Sequence, residues 1–262
     1  MAAGPMTVPL RRSPVLPSPV FVAVLAVAAV GGALAWTAED VTSVTARLGV
    51  FVLVLAGWIV SVCLHEFGHA VTAFRAGDRE VELRGYLTLN PLKYTHPLLS
   101  IVLPVVFIAI GGIGLPGGAV YLRTGQFTPS TQRRIALAGP LANAVVAVAL
   151  LVTIRLFGTD GTHSAFWYGL SFLAFLQIMA TVLNLIPVPG LDGYAALEPS
   201  LSPATRASLA QFKTYGLLVL VALLFVPAVN SAFFGAIYTL FGLSGIPEFY
   251  AGNGNFLMRF WL

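Results

Sequence analysis

Charge is scarce in this sequence. Only 9% of the 262 residues are Asp, Glu, Lys or Arg, against roughly 25% in soluble domains. Hydrophobic residues make up 58% and the mean hydropathy is +0.89. That excludes an ordinary soluble protein and defines an integral membrane protein. No stretch offers roughly 80–100 residues of soluble composition, so an appended globular domain is excluded. Cysteine is almost absent: the single Cys63 lies in an apolar run, which excludes a disulfide framework and reads as a small core hydrophobe. Internal repeats and low-complexity tracts are missing as well. The net charge of +4 does not signal a nucleic-acid partner; in so apolar a chain the positions of Lys and Arg report topology.

The hydrophobic segments that remain organise the chain. Residues 1–19, Pro-rich with Arg11 and Arg12, read as a disordered cytoplasmic tail. Residues 20–36 form the first apolar span. Its arginine-flanked start and Ala33-Leu34-Ala35 also allow a signal-peptide reading; either way the chain emerges outside near Glu39 and Asp40 and re-enters. A second span covers about 49–74. Arg75, Arg79, Arg84 and Lys93 follow it, which makes its C-terminal end cytoplasmic. VELRGYLTLN alternates apolar and polar residues like a strand. Residues 97–118 are apolar but broken by Pro104, GGIG and PGG, with basic residues on both sides, so a re-entrant segment fits better than a crossing. Spans at 135–156 and 166–186 follow, and Arg206 and Lys213 mark the cytoplasmic side again. A last apolar stretch begins at residue 215 and is interrupted by Pro227 and Asn230, leaving one kinked span or two short ones. The expected fold is an all-α polytopic membrane protein: a bundle of about five to six transmembrane helices with a re-entrant segment and short membrane-associated β-strands. A single integral-membrane domain occupies residues 20–262. It sits in the cell membrane, and no feature specifies an oligomeric state.

The chain has four histidines, and two of them fall inside the second span. His65-Glu66-Phe67-Gly68-His69 is H-E-x-x-H. Residues i and i+4 project from one helix face, so both imidazoles can reach one metal ion, with Glu66 placed to take a proton from its water. Zinc suits such ligands. Chance composition would give roughly 0.001 matches to this pattern in a chain of this make-up. The other bland reading is a polar patch that holds helices together. His65 lies roughly 15 Å before Arg75 along a helix, within the hydrocarbon, where ionisable residues are functional by default. Two histidines leave a catalytic zinc one protein ligand short. Asp160 and His163 are on the opposite side, and Glu39, Asp40, Glu198 and Glu248 lie outside the apolar segments. Asp192 remains, in NLIPVPGLDG. Pro187 and Pro189 break the helix there, and the segment reads either as a turn bringing a carboxylate back to the histidines or as a plain helix stop.

HEFGH, AGPLAN and NLIPVPGLDG, in this order on separate hydrophobic segments, resemble the site-2 protease family of intramembrane zinc metalloproteases, in its short bacterial branch without PDZ or CBS domains. The likeness covers roughly residues 50–215. It implies one Zn²⁺ held by His65, His69 and Asp192, Glu66 as the catalytic acid/base, and Asn184 as a substrate-binding or oxyanion-stabilising residue. It also implies that AGPLAN packs near the site, with a structural role for Asn143. In GYLTLNPLKYTHPL the usual Asp-Pro pair reads His96-Pro97, so His96 stands either near the metal or as a solvated interfacial residue. The implied activity is regulated intramembrane proteolysis: hydrolysis of a peptide bond in or near the transmembrane helix of another membrane protein, within the lipid bilayer, at a site facing the cytoplasm. The strand-like pieces VELRGYLTL and GGAVYLRTG are then candidates to pair with the unwound substrate. The alternative is a non-proteolytic zinc-binding membrane protein or transporter. A transporter spreads ionisable residues along a path across the bilayer, whereas here they gather on one side. A degenerate relative would have lost Glu66 or a ligand.

Overall fold

The computed structural model describes residues 15–94, 124–213 and 215–261, and these are helical nearly throughout. Among the described residues, four helices are long and apolar enough to cross a membrane: α1 (Pro19–Thr37), α2 (Val44–Ala76), α4 (Pro129–Phe157) and α5 (Ser164–Leu185). A single turn, α3 (Glu80–Leu83), lies between α2 and α4. Beyond α5 come five shorter helices: α6 (Asp192–Leu197), α7 (Pro203–Ala210), α8 (Gly216–Leu223), α9 (Pro227–Gly242) and α10 (Glu248–Met258).

Local chemistry sets the ends. Ser18, Ser43 and Thr128 cap α1, α2 and α4 by accepting hydrogen bonds from the N–H groups of Phe21, Ala46 and Thr131. Proline follows the cap in α1 and α4, where its missing N–H costs nothing. Helix α2 stops at Gly77, whose φ of 114° is the left-handed turn that a side chain would strain; Asp78 N–H then donates back to Ala73 O. At 33 residues α2 is about 50 Å long, well beyond a hydrocarbon core of about 30 Å.

The four long helices alternate in direction. The α1–α2 and α4–α5 turns share one end, where His163 Nδ1 donates to Trp36 O at 2.8 Å and the two rings stack at 3.7 Å. Helices α1 and α2 cross at contact distance: a Cβ on Gly31 would lie 2.5 Å from Leu53 N, and one on Gly49 2.5 Å from Ala35 N. In lipid, where apolar surface gives no net drive to associate, such close backbone packing is what holds helices together. Helix α5 is central and buried over most of its length, enclosed by α2, α4, α9 and α10. It runs parallel to α2, in a register fixed by Leu173 against Gly57 and by Gly169 against Val50 and Leu53.

The last apolar stretch passes from one end of the bundle to the other in two pieces. Gly216, opening α8, abuts Pro189 O near the site end, and Gly245, just past α9, lies beside Arg155 in the last turn of α4. The break falls at residues 224–226, before Pro227, as the sequence suggests. Helix α9 packs Phe233, Ile237 and Phe241 inward, and Phe241 meets Phe175 of α5.

One expectation is corrected. No strand occurs among the described residues. Residues 81–90 form instead the end of α3, a turn at Gly85 (φ 73°) and a 3₁₀ turn over Tyr86–Thr88, closing on Leu89 at φ 56°. Asp78 accepts from Glu80 N–H, which starts a helical turn where the alternation suggested extension. The candidate re-entrant segment 97–118, His96, and GGAVYLRTG up to residue 123 lie outside the described residues. Helix α1 begins at Pro19, and Ser18 is already fixed, its N–H donating to Thr88 O at 2.8 Å.

Candidate metal centre

Helix α2 carries His65 and His69 one turn apart, with Glu66 buried between them. The third group comes from the chain after α5. Leu185 ends that helix because Pro187 and Pro189 cannot continue it. Gly190, at φ 101°, turns the backbone, and Leu191 leads in extended conformation to Asp192, the first residue of α6. Sequence positions 127 apart thus meet.

The meeting is close. His65 Nε2 lies 3.1 Å from His69 Nε2. Asp192 Oδ2 lies 3.2 Å from His65 Nε2 and 3.4 Å from His69 Nε2. A tetrahedral zinc with bonds of about 2.0–2.1 Å has edges of about 3.3 Å. The three atoms therefore match one face of that tetrahedron.

The hydrogen bonds on the far side of each ring point the same way. His69 Nδ1 donates to the backbone carbonyl of Ile135 at 2.7 Å, and His65 Nδ1 to Asn143 Oδ1 at 2.8 Å. With Nδ1 protonated, each neutral ring presents its Nε2 lone pair to the centre. Asp192 Oδ2 is buried there with no hydrogen-bond donor. Two lone pairs and a carboxylate oxygen facing one another repel, and a cation between them resolves the conflict. Two nitrogens and one oxygen leave a tetrahedral ion one open position, the mark of catalytic rather than structural zinc. The donor set fits the ion.

Small residues on both α2 and α4 make this possible. A Cβ on Gly68 would lie 2.7 Å from Ala138 O, and one on Gly139 would lie 2.6 Å from His65 Nε2 and closer still to His69 Nε2. AGPLAN is thus the wall of the site: Gly139 admits the imidazoles and Asn143 orients one of them. The sequence reading anticipated that AGPLAN packs here, but not the bond to His65. Ile135, which supplies the other acceptor through its backbone, carries no sequence signal at all. Asn184 is buried in the last turn of α5. It is not among the groups that converge on the metal position, which are His65, His69 and Asp192.

Two imidazoles, a carboxylate and a buried glutamate, within a bundle of membrane-length helices, define the class of a membrane-embedded metal-dependent hydrolase. The family model described as Peptidase family M50 matches residues 51–168. A protein of Mycolicibacterium smegmatis named "Putative zinc metalloprotease Rip2" is 56% identical over 253 residues, 97% of each chain. The chain belongs to peptidase family M50, the site-2 protease family. The protein of the same name in Mycobacterium tuberculosis is 53% identical over 251 residues, 96% of each chain. "Putative zinc metalloprotease YwhC" of Bacillus subtilis is 31% identical over 180 residues, 64% of this chain and 78% of that one. No solved structure matches the chain.

Proposed function

We propose that the protein is an intramembrane zinc metalloprotease that hydrolyses a peptide bond in or near a transmembrane helix of another membrane protein. The observation that carries this reading is the convergence of His65, His69 and Asp192 on one point beside the buried Glu66, in a helix of membrane-spanning length.

In this reading His65, His69 and Asp192 hold the metal, with Asn143 and the Ile135 carbonyl fixing the rings. Bound zinc supplies a Lewis acid and lowers the pKa of water toward about 7. Glu66 takes the proton from the attacking water and returns it to the leaving amine. Asn184, in the last turn of α5, offers an amide donor to the oxyanion that develops on the scissile carbonyl. The charges of a divalent ion, Asp192 and Glu66 nearly cancel, which limits the cost of burying them. A regular substrate helix hides its carbonyls in its own hydrogen bonds, so the substrate unwinds locally before it is cut.

The site faces the cytoplasm in this proposal. Among the described residues, Arg75, Arg79, Arg84, Lys93, Arg133, Arg134, Arg206 and Lys213 belong to the site end of the bundle and Arg47, Arg155 and Arg259 to the other, an imbalance that supports a cytoplasmic site end by the positive-inside rule. The bundle then has five crossings, the fifth shared by α8 and α9, with residues 97–118 as a re-entrant segment. Residues 20–262 form one protease domain. The test is a comparison of membrane proteomes from cells carrying the wild type or Glu66→Gln, with metal analysis of both purified proteins. A fragment present only with the wild type, at equal metal content, is expected. A metal-replete mutant whose proteome matches the wild type would sink the reading.

A further inference from the structure

Among the buried polar side chains of the described residues, Gln177 is the one with both amide atoms lacking any partner, and it is fully buried in the middle of α5. A buried amide without partners is costly in protein and more so at membrane depth. Something pairs with it.

Its position narrows the choice. Leu173 rests on Gly57 across the α2–α5 contact. The helices run parallel, so one turn further along each brings Gln177 level with Ser61. One more turn brings Thr181 level with His65. Ser61 is buried and donates its hydroxyl to Gly57 O at 3.0 Å; Thr181 donates its hydroxyl to Gln177 O at 2.8 Å. Both hydroxyl protons are therefore committed to the backbone, while their oxygens keep acceptor capacity. Along the α2–α5 seam, extending this register puts Ser61, His65 and His69 of α2 at the levels of Gln177, Thr181 and Asn184 of α5. Toward the opposite end the seam closes on Leu173, Leu53 and Val50.

We propose that Gln177 binds ordered water in this seam, one helical turn beyond His65, and that this water extends the hydration of the metal centre into the protein. Water is the ligand that meets the chemistry: it gives a donor to Gln177 Oε1 and an acceptor to Nε2, and can donate onward to the Ser61 or Thr181 oxygen, within the two to four bonds an internal water makes. Full enclosure leaves no way in for a peptide at this level. Gln177 is then a positioning residue, acting on the reacting water through its neighbours. The inference rests on the protease reading above.

The test uses full-length protein in nanodiscs, as wild type, Gln177→Leu, Gln177→Asn and Glu66→Gln. X-ray radiolytic hydroxyl labelling, which marks side chains beside bound water, is expected to modify Leu173 in the wild type and to lose that mark in Gln177→Leu. Cleavage of a transmembrane-peptide substrate by Gln177→Leu should fall about tenfold or more in kcat, the scale of outer-shell effects at metal sites, with KM and zinc content unchanged. Its Tm should be equal or higher, because a leucine replaces an amide that has no protein partner. Gln177→Asn, which keeps an amide, should recover part of the rate. An unlabelled Leu173 in the wild type, labelling unaffected by Gln177→Leu, or a wild-type kcat in that variant overturns the inference. So does a lowered Tm in both substitutions, which would indicate packing. Failure of the wild type to exceed Glu66→Gln in the cleavage assay is a separate result, counting against the protease reading; the labelling result stands apart from it.

Discussion

His65 Nδ1 and Asn143 Oδ1 meet at 2.8 Å across the α2–α4 interface, 78 positions apart in the chain. The bond fixes which nitrogen of His65 carries the proton, and so which lone pair faces the metal. Asn143→Ala should lower metal affinity by about 10–100-fold, as loss of an outer-shell partner does. Asn143→Asp keeps the acceptor and should retain most of the affinity. Competition titration with a zinc chelator separates the two.

Gly139 gives a sharper steric prediction. Its Cβ would occupy the space of both imidazole Nε2 atoms. Gly139→Ala adds one methyl group to a helix, where alanine is favoured by up to about 1 kcal/mol over glycine. The helix should therefore tolerate it while the centre does not. The expected outcome is normal membrane insertion and helicity by circular dichroism, with zinc content near zero.

Glu66 and Asp192 should separate in their phenotypes. Glu66→Gln keeps the size of the side chain and removes its basicity. It should retain zinc and lose cleavage by about 10²-fold or more, the contribution of a general base. Asp192→Ala removes a ligand, so both zinc and cleavage should fall. Zinc stoichiometry by mass spectrometry, measured beside cleavage, distinguishes a lost base from a lost ligand.

The parts legible in the sequence are those with a local physical signature. H-E-x-x-H works because helix periodicity alone puts His65 and His69 on one face, and the long spans show because the bilayer demands unbroken apolar length. Asp192 could be reached by elimination, since few other acids lie near an apolar segment. Residues 81–90 misled for an equally physical reason. Their alternation mimics a strand, but Asp78 and the left-handed Gly77 and Gly85 wind the chain into turns first. The likeness implied a structural role for Asn143 but not its partner, because a bond between α2 and α4 leaves no mark in either helix. Gln177 was hidden too: one amide in an apolar run reads as noise until the fold buries it fully with neither amide atom paired.

Tyr94 carries the last prediction. Its ring is buried and its hydroxyl donates to Cys63 O at 3.1 Å, two residues before His65. After α2 ends at Ala76, the chain therefore doubles back along it to the depth of the metal site. Two effects could hold it there, the hydrogen bond or the buried ring, and their magnitudes differ. Cys63 O lies within the α2 hydrogen-bond ladder, so losing the phenol leaves it paired, and Tyr94→Phe should cost only about 1 kcal/mol. Tyr94→Ala empties a space the size of a ring and should cost about 3–5 kcal/mol, as aromatic truncations in packed cores do. Unfolding in a mild detergent with added denaturing detergent, followed by tryptophan fluorescence, measures both. If the two substitutions cost the same, the hydrogen bond and not the packing anchors this segment beside the histidines.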